Sequence, residues 1–117
     1  MKTLVLSLRN NLKKVGSVNL GFHKKTGYII NLEIEKSQRE KGYGSELLEI
    51  SENTLKNNYN VEEIKLCSWN SIYSNYSNLD FFKKKDYEIN GKTTYYDNES
   101  DIFEITGFIK KLHVIVE

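Results

Sequence analysis

At 117 residues, with 38% hydrophobic and 28% charged positions, the chain has the length of one domain and the composition of a soluble globular protein rather than of a disordered one. A formal net charge of +1 gives no general attraction to nucleic acid or to an anionic membrane, so neither is expected as a partner. Cys67 is the single cysteine, which excludes an internal disulfide and points to a reducing, cytoplasmic location.

Leu4, Leu6 and Leu8 alternate with Val5 and Ser7, so residues 3–9 read as a strand. This apolar stretch is too short for a secretion signal, and no run reaches membrane-spanning length. Asn10-Asn11 makes a turn, and Val15 to Phe22 alternates again as a second strand. His23 to Gly27 is a polar turn ending in glycine, and residues 28–35 form a third strand, antiparallel to the second. A helix is predicted over 43–58, with Leu47, Leu48, Ser51 and Leu55 on one face and Glu46, Glu49 and Lys56 mainly on another. Asn57 to Asn60 ends it.

Val61 to Trp69 reads as a fourth strand, with Ile64 and Leu66 inward and Lys65 outward. The crossover through the helix makes it parallel to the third strand. Cys67 reads as a small buried residue of that strand. A short helix is expected over 76–85, with Tyr76, Leu79 and Phe81 or Phe82 facing the core. Asn90-Gly91 between 87–89 and 92–96 is a hairpin signal, because both residues tolerate left-handed dihedrals. Asp97 to Asp101 reads as a loop and Ile102 to Ile109 as the last strand. No repeat, linker or internal boundary stands out, so residues 1–117 are expected to form one domain.

The turn Arg39-Glu40-Lys41-Gly42-Tyr43-Gly44 lies between the third strand and the first helix. The first N–H groups of a helix have no intrahelical partner and carry the positive end of its dipole. Glycines at 42 and 44 let an anion approach the main chain. Strand, glycine turn and helix start together predict a site for a phosphate-bearing ligand.

The order β-β-β-α-β-α-β-β, with Arg39, Gly42 and Gly44 in that turn, resembles the GNAT superfamily of acetyl-CoA-dependent N-acetyltransferases. Leu32-Glu33-Ile34 is similar to the end of that family's central strand, and Ser45 with Leu47-Leu48 continues its signature. Asn75, followed by an aromatic-rich segment through Phe82 to Tyr87, is similar to its second block. The resemblance covers residues 15–110. It implies an α/β (α+β) fold: a mixed, mostly antiparallel sheet with a central splayed parallel pair and two helices. It also implies acetyl-CoA as cosubstrate and no metal. The main chain of Glu40, Lys41, Gly42, Tyr43, Gly44 and Ser45, with Arg39, would hold the diphosphate. Leu32, Glu33 and Ile34 would pair with the pantetheine arm as an added strand. Asn75 would hold backbone near the cofactor, or cap the second helix.

The chain departs from the family's pattern at Phe82, where a tyrosine often serves as general acid, and phenylalanine has no proton to give. Asp86 replaces a usual glycine, Lys36 takes a common proline position, and the family's leading strand and helix pair have no clear counterpart. Acetyl transfer to an amine needs a neutral nitrogen, whereas a free lysine titrates near about 10.4, so a base is required. Glu33 is the first candidate and Glu35 the second, each with a solvated strand residue as the plain alternative. Tyr73 or Tyr76 would replace the missing acid, unless both only pack. The Ile34 N–H would stabilise the oxyanion.

His23, His113 and Cys67 carry no pattern pointing to catalysis or metal binding. Lys83-Lys84-Lys85 reads as a solvated helix end, with the 3′-phosphate of CoA as the alternative role. The acceptor is a primary amine of a protein or small molecule, and a homodimer is one way to complete a reduced groove. Two other readings stand beside the enzyme. One is a GNAT-fold acyl-CoA-binding module without efficient turnover. The other is a nucleotide-binding fold, which the antiparallel opening strands and the missing Gly-x-Gly-x-x-Gly disfavour.

Overall fold

Alternation decides the first three strands. The computed structural model describes residues 1–73, 77–91 and 93–112, in which β1 spans Lys2–Asn10, β2 Lys13–His23 and β3 Thr26–Ile34. They form an antiparallel meander, with Leu4, Leu6 and Leu8 opposite Leu20, Val18 and Gly16. The two connections turn through Asn11 (φ 56°) and Lys24 (φ 55°). Helix α1, Tyr43–Tyr59, runs one residue past the expected end and covers one face of the meander. Leu47, Leu48, Ser51 and Leu55 are its buried residues, as its periodicity predicts. Each fully buried leucine contributes about 2 kcal/mol of transfer free energy. Ser51 is tolerated there because its Oγ donates to the Leu47 carbonyl at 2.7 Å. At the helix end Phe22 of β2 stacks on Tyr59 with ring centroids 4.2 Å apart. Asn60 then closes α1 in the left-handed conformation, its N–H reaching the Leu55 carbonyl.

The chain divides into two compact units. The first holds residues 1–64 together with Lys111 and Leu112, and the second holds Lys65–Lys110. Strand β4, Glu63–Ser71, begins in the first unit, where Thr26 Oγ1 donates to Glu63 Oε1 at 3.0 Å and Lys111 pairs with Glu63 at 2.7 Å. The β3–α1–β4 crossover makes β3 and β4 the parallel pair of an otherwise mostly antiparallel sheet.

The second unit continues with α2 (Leu79–Lys84), β5 (Glu88–Ile89), β6 (Thr94–Asn98) and β7 (Asp101–Lys111). The strand order is β1-β2-β3-β4-β7-β5, with β6 also on β7. Helix α2 is shorter than the predicted 76–85, beginning after Asn78. Phe82 is its buried residue and packs against Phe81, Tyr87 and Phe108, with centroids 5.2, 5.9 and 5.6 Å away.

Two expectations are corrected by the structure. The Asn90-Gly91 hairpin does not form: β5 pairs with β7 at Glu88↔Ile109 and Ile89↔Phe108, and β6 pairs with β7 from Thr94↔Ile105 to Asn98↔Asp101. The two segments are successive pieces of one interrupted partner of β7. The ladder breaks between Ile89 and Thr94, opposite Thr106 and Gly107, and Asn90 N donates to the Gly107 carbonyl at 2.8 Å. The true hairpin joins β6 to β7 inside the stretch expected as a loop. Cys67 is exposed rather than buried. Ile64, Leu66 and Ser68 take the inward positions of β4, so strand alternation turns residue 67 outward.

Candidate functional site

The register of β2 against β3 decides which backbone groups are available at the end of β3. Gly16↔Ile34, Ser17↔Glu33 and Val18↔Leu32 are opposite pairs, and Glu35 N donates to the Val15 carbonyl at 2.8 Å in the same register. In an antiparallel ladder alternate pairs exchange both hydrogen bonds. Glu33 and Glu35 therefore spend their amides on β2, whereas Leu32 and Ile34 direct N–H and C=O to the opposite edge of β3. Arg39 Nε donates to the Ile34 carbonyl at 3.3 Å, tying the turn back to the strand.

Beyond Glu35 the chain makes one 3-10 turn, Lys36–Gln38, then reaches α1 through two left-handed residues, Glu40 (φ 63°) and Gly42 (φ 84°). Gly42 is the residue before the helix, and no side chain caps it. The first-turn amides at 43–45 thus point out of the helix without intrahelical acceptors, while Glu46 N already bonds the Gly42 carbonyl at 3.1 Å. A Cβ built on Gly42 meets nothing within 4 Å. The space over this turn is open, and its backbone conformation is one that L side chains rarely adopt. Glu35, Glu40 and Glu46 balance Lys36, Arg39 and Lys41 in charge. Net side-chain charge at this turn is therefore balanced, which leaves the main-chain dipoles of the helix start as its uncompensated electrostatic feature.

All the residues read for the acyl-donor site from 32 to 45 fall on one continuous stretch of the first unit. Glu33 and Glu35 are exposed there. Tyr73 lies in the second unit, just past β4, and is strongly exposed. Asn75, Tyr76 and His113 lie outside the described residues. The residue at the α2 cap is Asn78, whose Oδ1 accepts from Ser68 Oγ at 3.1 Å. Burial of Phe82 among three rings fits a packing role.

One feature of the first unit has no signal in the sequence. The β1–β2 turn comes up beside the glycine turn, with Asn10 Nδ2 donating to the Tyr43 hydroxyl at 2.9 Å. Asn10, Asn11, Leu12, Lys13, Val15 and Gln38 line an open groove of about 470 Å³. Gln38 is also held by Lys41 Nζ at 3.2 Å. Asn10 and Tyr43 are 33 positions apart, so no local pattern announces their contact.

The first unit thus joins a strand end whose Ile34 N–H faces away from β2 to a helix start that has no side-chain cap and follows a left-handed glycine. The acetyltransferase (GNAT) family profile matches residues 3–87. The chain belongs to this family and is a GNAT-type acyltransferase; the family uses acetyl-CoA. No curated protein is similar enough in sequence to count as a match.

Solved structures share the fold. A ribosomal-protein-S18-alanine N-acetyltransferase from Escherichia coli superposes with a TM-score of 0.80 at 16% identity, over 98% of this chain and 72% of that one. An acetyltransferase from Bacillus cereus gives 0.74 at 24% identity, over 95% and 74%. A GNAT family acetyltransferase from Elizabethkingia anophelis, with acetyl-CoA bound, gives 0.73 at 16% identity, over 92% and 75%. At these identities the likeness establishes the fold: a mixed sheet of GNAT type with two helices. No helix among the described residues is long and apolar enough to cross a membrane.

Proposed function

We propose that this chain transfers the acetyl group of acetyl-CoA to a primary amine of a protein or small molecule, within a single domain spanning residues 1–117. The observation that carries the reading is the conjunction of the open, uncapped α1 start behind Gly42 with the outward amide of Ile34. The amides at 43–45, with Arg39, Glu40 and Lys41 around them, receive the diphosphate of the donor. The edge of β3 at Leu32 and Ile34 receives the amides of the pantetheine arm as an added strand. Bound acetyl-CoA supplies an acetyl group activated as a thioester.

Glu33 takes a proton from the incoming ammonium, directly or through water. The neutral nitrogen then forms the new C–N bond, the C–S bond breaks, the nitrogen gives up its second proton, and the departing thiolate takes up one proton to become the thiol of CoA. The N–H of Ile34 donates to the acetyl oxygen as negative charge grows on it. Assignment of the thiolate's proton donor to Tyr73 or Tyr76 rests on their sequence position in the connection that leads into the second helix, and that of a cofactor contact to Asn75 on the family resemblance. A cytoplasmic location, a homodimer and the absence of nucleic-acid and membrane partners complete the reading.

Calorimetry with acetyl-CoA, then thiol release across a panel of amines, tests it. Expected are binding that CoA competes away and turnover with at least one acceptor. Folded protein that binds neither CoA nor acetyl-CoA would overturn the site. Glu33→Gln should lower kcat roughly 100-fold with donor affinity kept, and Tyr73→Phe separates that tyrosine from Tyr76. The buried Phe82 keeps a second reading in view, an acyl-CoA-binding module without efficient turnover. Donor binding with no transfer to any amine would favour it.

A further inference from the structure

The β1–β2 hairpin holds both ends of the glycine turn. At the entrance Glu35 N donates to the Val15 carbonyl at 2.8 Å. At the exit Asn10 Nδ2 donates to the hydroxyl of Tyr43, the first residue of α1, at 2.9 Å. Asn10 and Val15 belong to one hairpin. Its tip is closed by the Asn10↔Lys13 pair, by Asn11 at φ 56° and by Arg9 Nη1, which donates to the Leu12 carbonyl at 3.2 Å. The span from the entrance of the turn to its exit is therefore braced by a separate element.

The turn needs such a brace. Between Glu35 and Tyr43 it passes through one 3-10 turn and two left-handed residues, and at Glu40 that conformation is one that side chains disfavour. Gly42 has no side chain with which to cap α1. Arg39 Nε holds the Ile34 carbonyl at 3.3 Å, and Lys41 Nζ holds Gln38 at 3.2 Å. Both of these anchors lie before Gly42. After it, among the described residues, Asn10 makes the one side-chain hydrogen bond that reaches residues 43–46 from elsewhere in the chain. A turn that is loose before binding must be ordered by its ligand, which weakens affinity, whereas a braced turn has its amides aimed beforehand.

We propose that Asn10 is a positioning residue for the acyl donor. It acts through Tyr43: the hydrogen bond to the ring hydroxyl fixes where α1 starts, and so where the N–H groups of 43–45 point. Asn10 has this role only if those amides seat the diphosphate, as in the function proposed above. The β1–β2 hairpin then belongs to the donor site without touching the donor.

CoA affinity is measured by calorimetry on the full chain and on Asn10→Ala, Tyr43→Phe and the double variant, each shown to be folded by circular dichroism. Each single variant should weaken binding roughly three- to tenfold, the range set by one neutral hydrogen bond. The double variant should bind no more weakly than Tyr43→Phe alone, because Asn10 then has nothing to hold. In turnover the loss should fall on KM for acetyl-CoA, with kcat at saturation kept. Hydrogen exchange of the Glu46 amide, which bonds the Gly42 carbonyl, should quicken in free Asn10→Ala protein, while exchange at Ser51 is kept. Leu12→Ser, at the 93% exposed tip of the same hairpin, should bind CoA as the parent chain does. Asn10→Ala protein that binds as tightly as the parent would overturn the proposal. So would a further loss on adding Asn10→Ala to Tyr43→Phe, which would mean that Asn10 meets the ligand directly, or an equal loss in Leu12→Ser. A parent chain that binds no CoA removes the acyl-donor reading itself, so the parent alone tells the two failures apart.

Discussion

Gly42 and Gly91 have nearly the same φ, 84° and 89°, and a Cβ on either would meet nothing within 4 Å. The two differ in the element that comes after them. Gly42 opens a 17-residue helix with no side-chain cap, so unpaired first-turn amides and the positive end of the helix dipole face its turn. Gly91 sits in a bulge between β5 and β6, where the chain leaves the β7 ladder and rejoins it. A left-handed glycine is only a joint. Its chemistry comes from the dipoles and unpaired groups that the next element aims at the same space.

The sharpest way to break this contrast is Gly42→Val. Loss of two charge-assisted main-chain contacts would cost about 100-fold or more in acetyl-CoA affinity, measured by calorimetry on protein shown to be folded. Unchanged affinity would mean that the diphosphate site lies elsewhere. Gly107→Ala probes the other side. Its new Cβ would stand 2.8 Å from the Asn90 carbonyl oxygen, a backbone atom with little room to yield. A loss of about 2 kcal/mol in urea unfolding is expected, with donor affinity kept in the folded fraction. A neutral result would contradict the bulge. Gly91→Ala meets no atom and should show only the left-handed strain, about 1 kcal/mol. The smallest effect is a gain. Glu40 is a non-glycine residue at φ 63° in the same turn as Gly42. Glu40→Gly should raise stability by up to about 1 kcal/mol, visible as a higher Tm. A fall in Tm would show that the Glu40 side chain holds the turn in place.

The first unit is largely legible in the sequence because its signals are local. Leu4, Leu6 and Leu8 alternate, Leu47, Leu48, Ser51 and Leu55 repeat at helical spacing, and each pattern reports one buried face. The second unit is legible only in part. Asn-Gly is a strong turn signal, but it states the dihedrals that the pair accepts and not the strand that its neighbours will choose. Segments on both sides of Asn90-Gly91 found β7 instead of each other. Cys67 misleads for a different reason. The alternation that turns Ile64 and Leu66 inward also turns residue 67 outward, and this outweighs the general preference of cysteine for burial. The Asn10–Tyr43 contact and the groove beside it are not legible, since the two residues meet only once β1, β2 and α1 have packed.

By itself the sequence determined the order of elements as far as α2, the buried face of α1 and the family, because periodicity and the Arg39–Gly44 turn are written over a few consecutive residues; the β-β ending expected after α2 is three strands in the structure. Tertiary structure alone decided that the edge groups of Leu32 and Ile34 turn away from β2, that β5 and β6 share one partner, and that Trp69, Tyr96 and Phe103 meet on one exposed face. Those outcomes depend on register between strands distant in the chain. A shift of one residue reverses which groups face the neighbour and which face solvent.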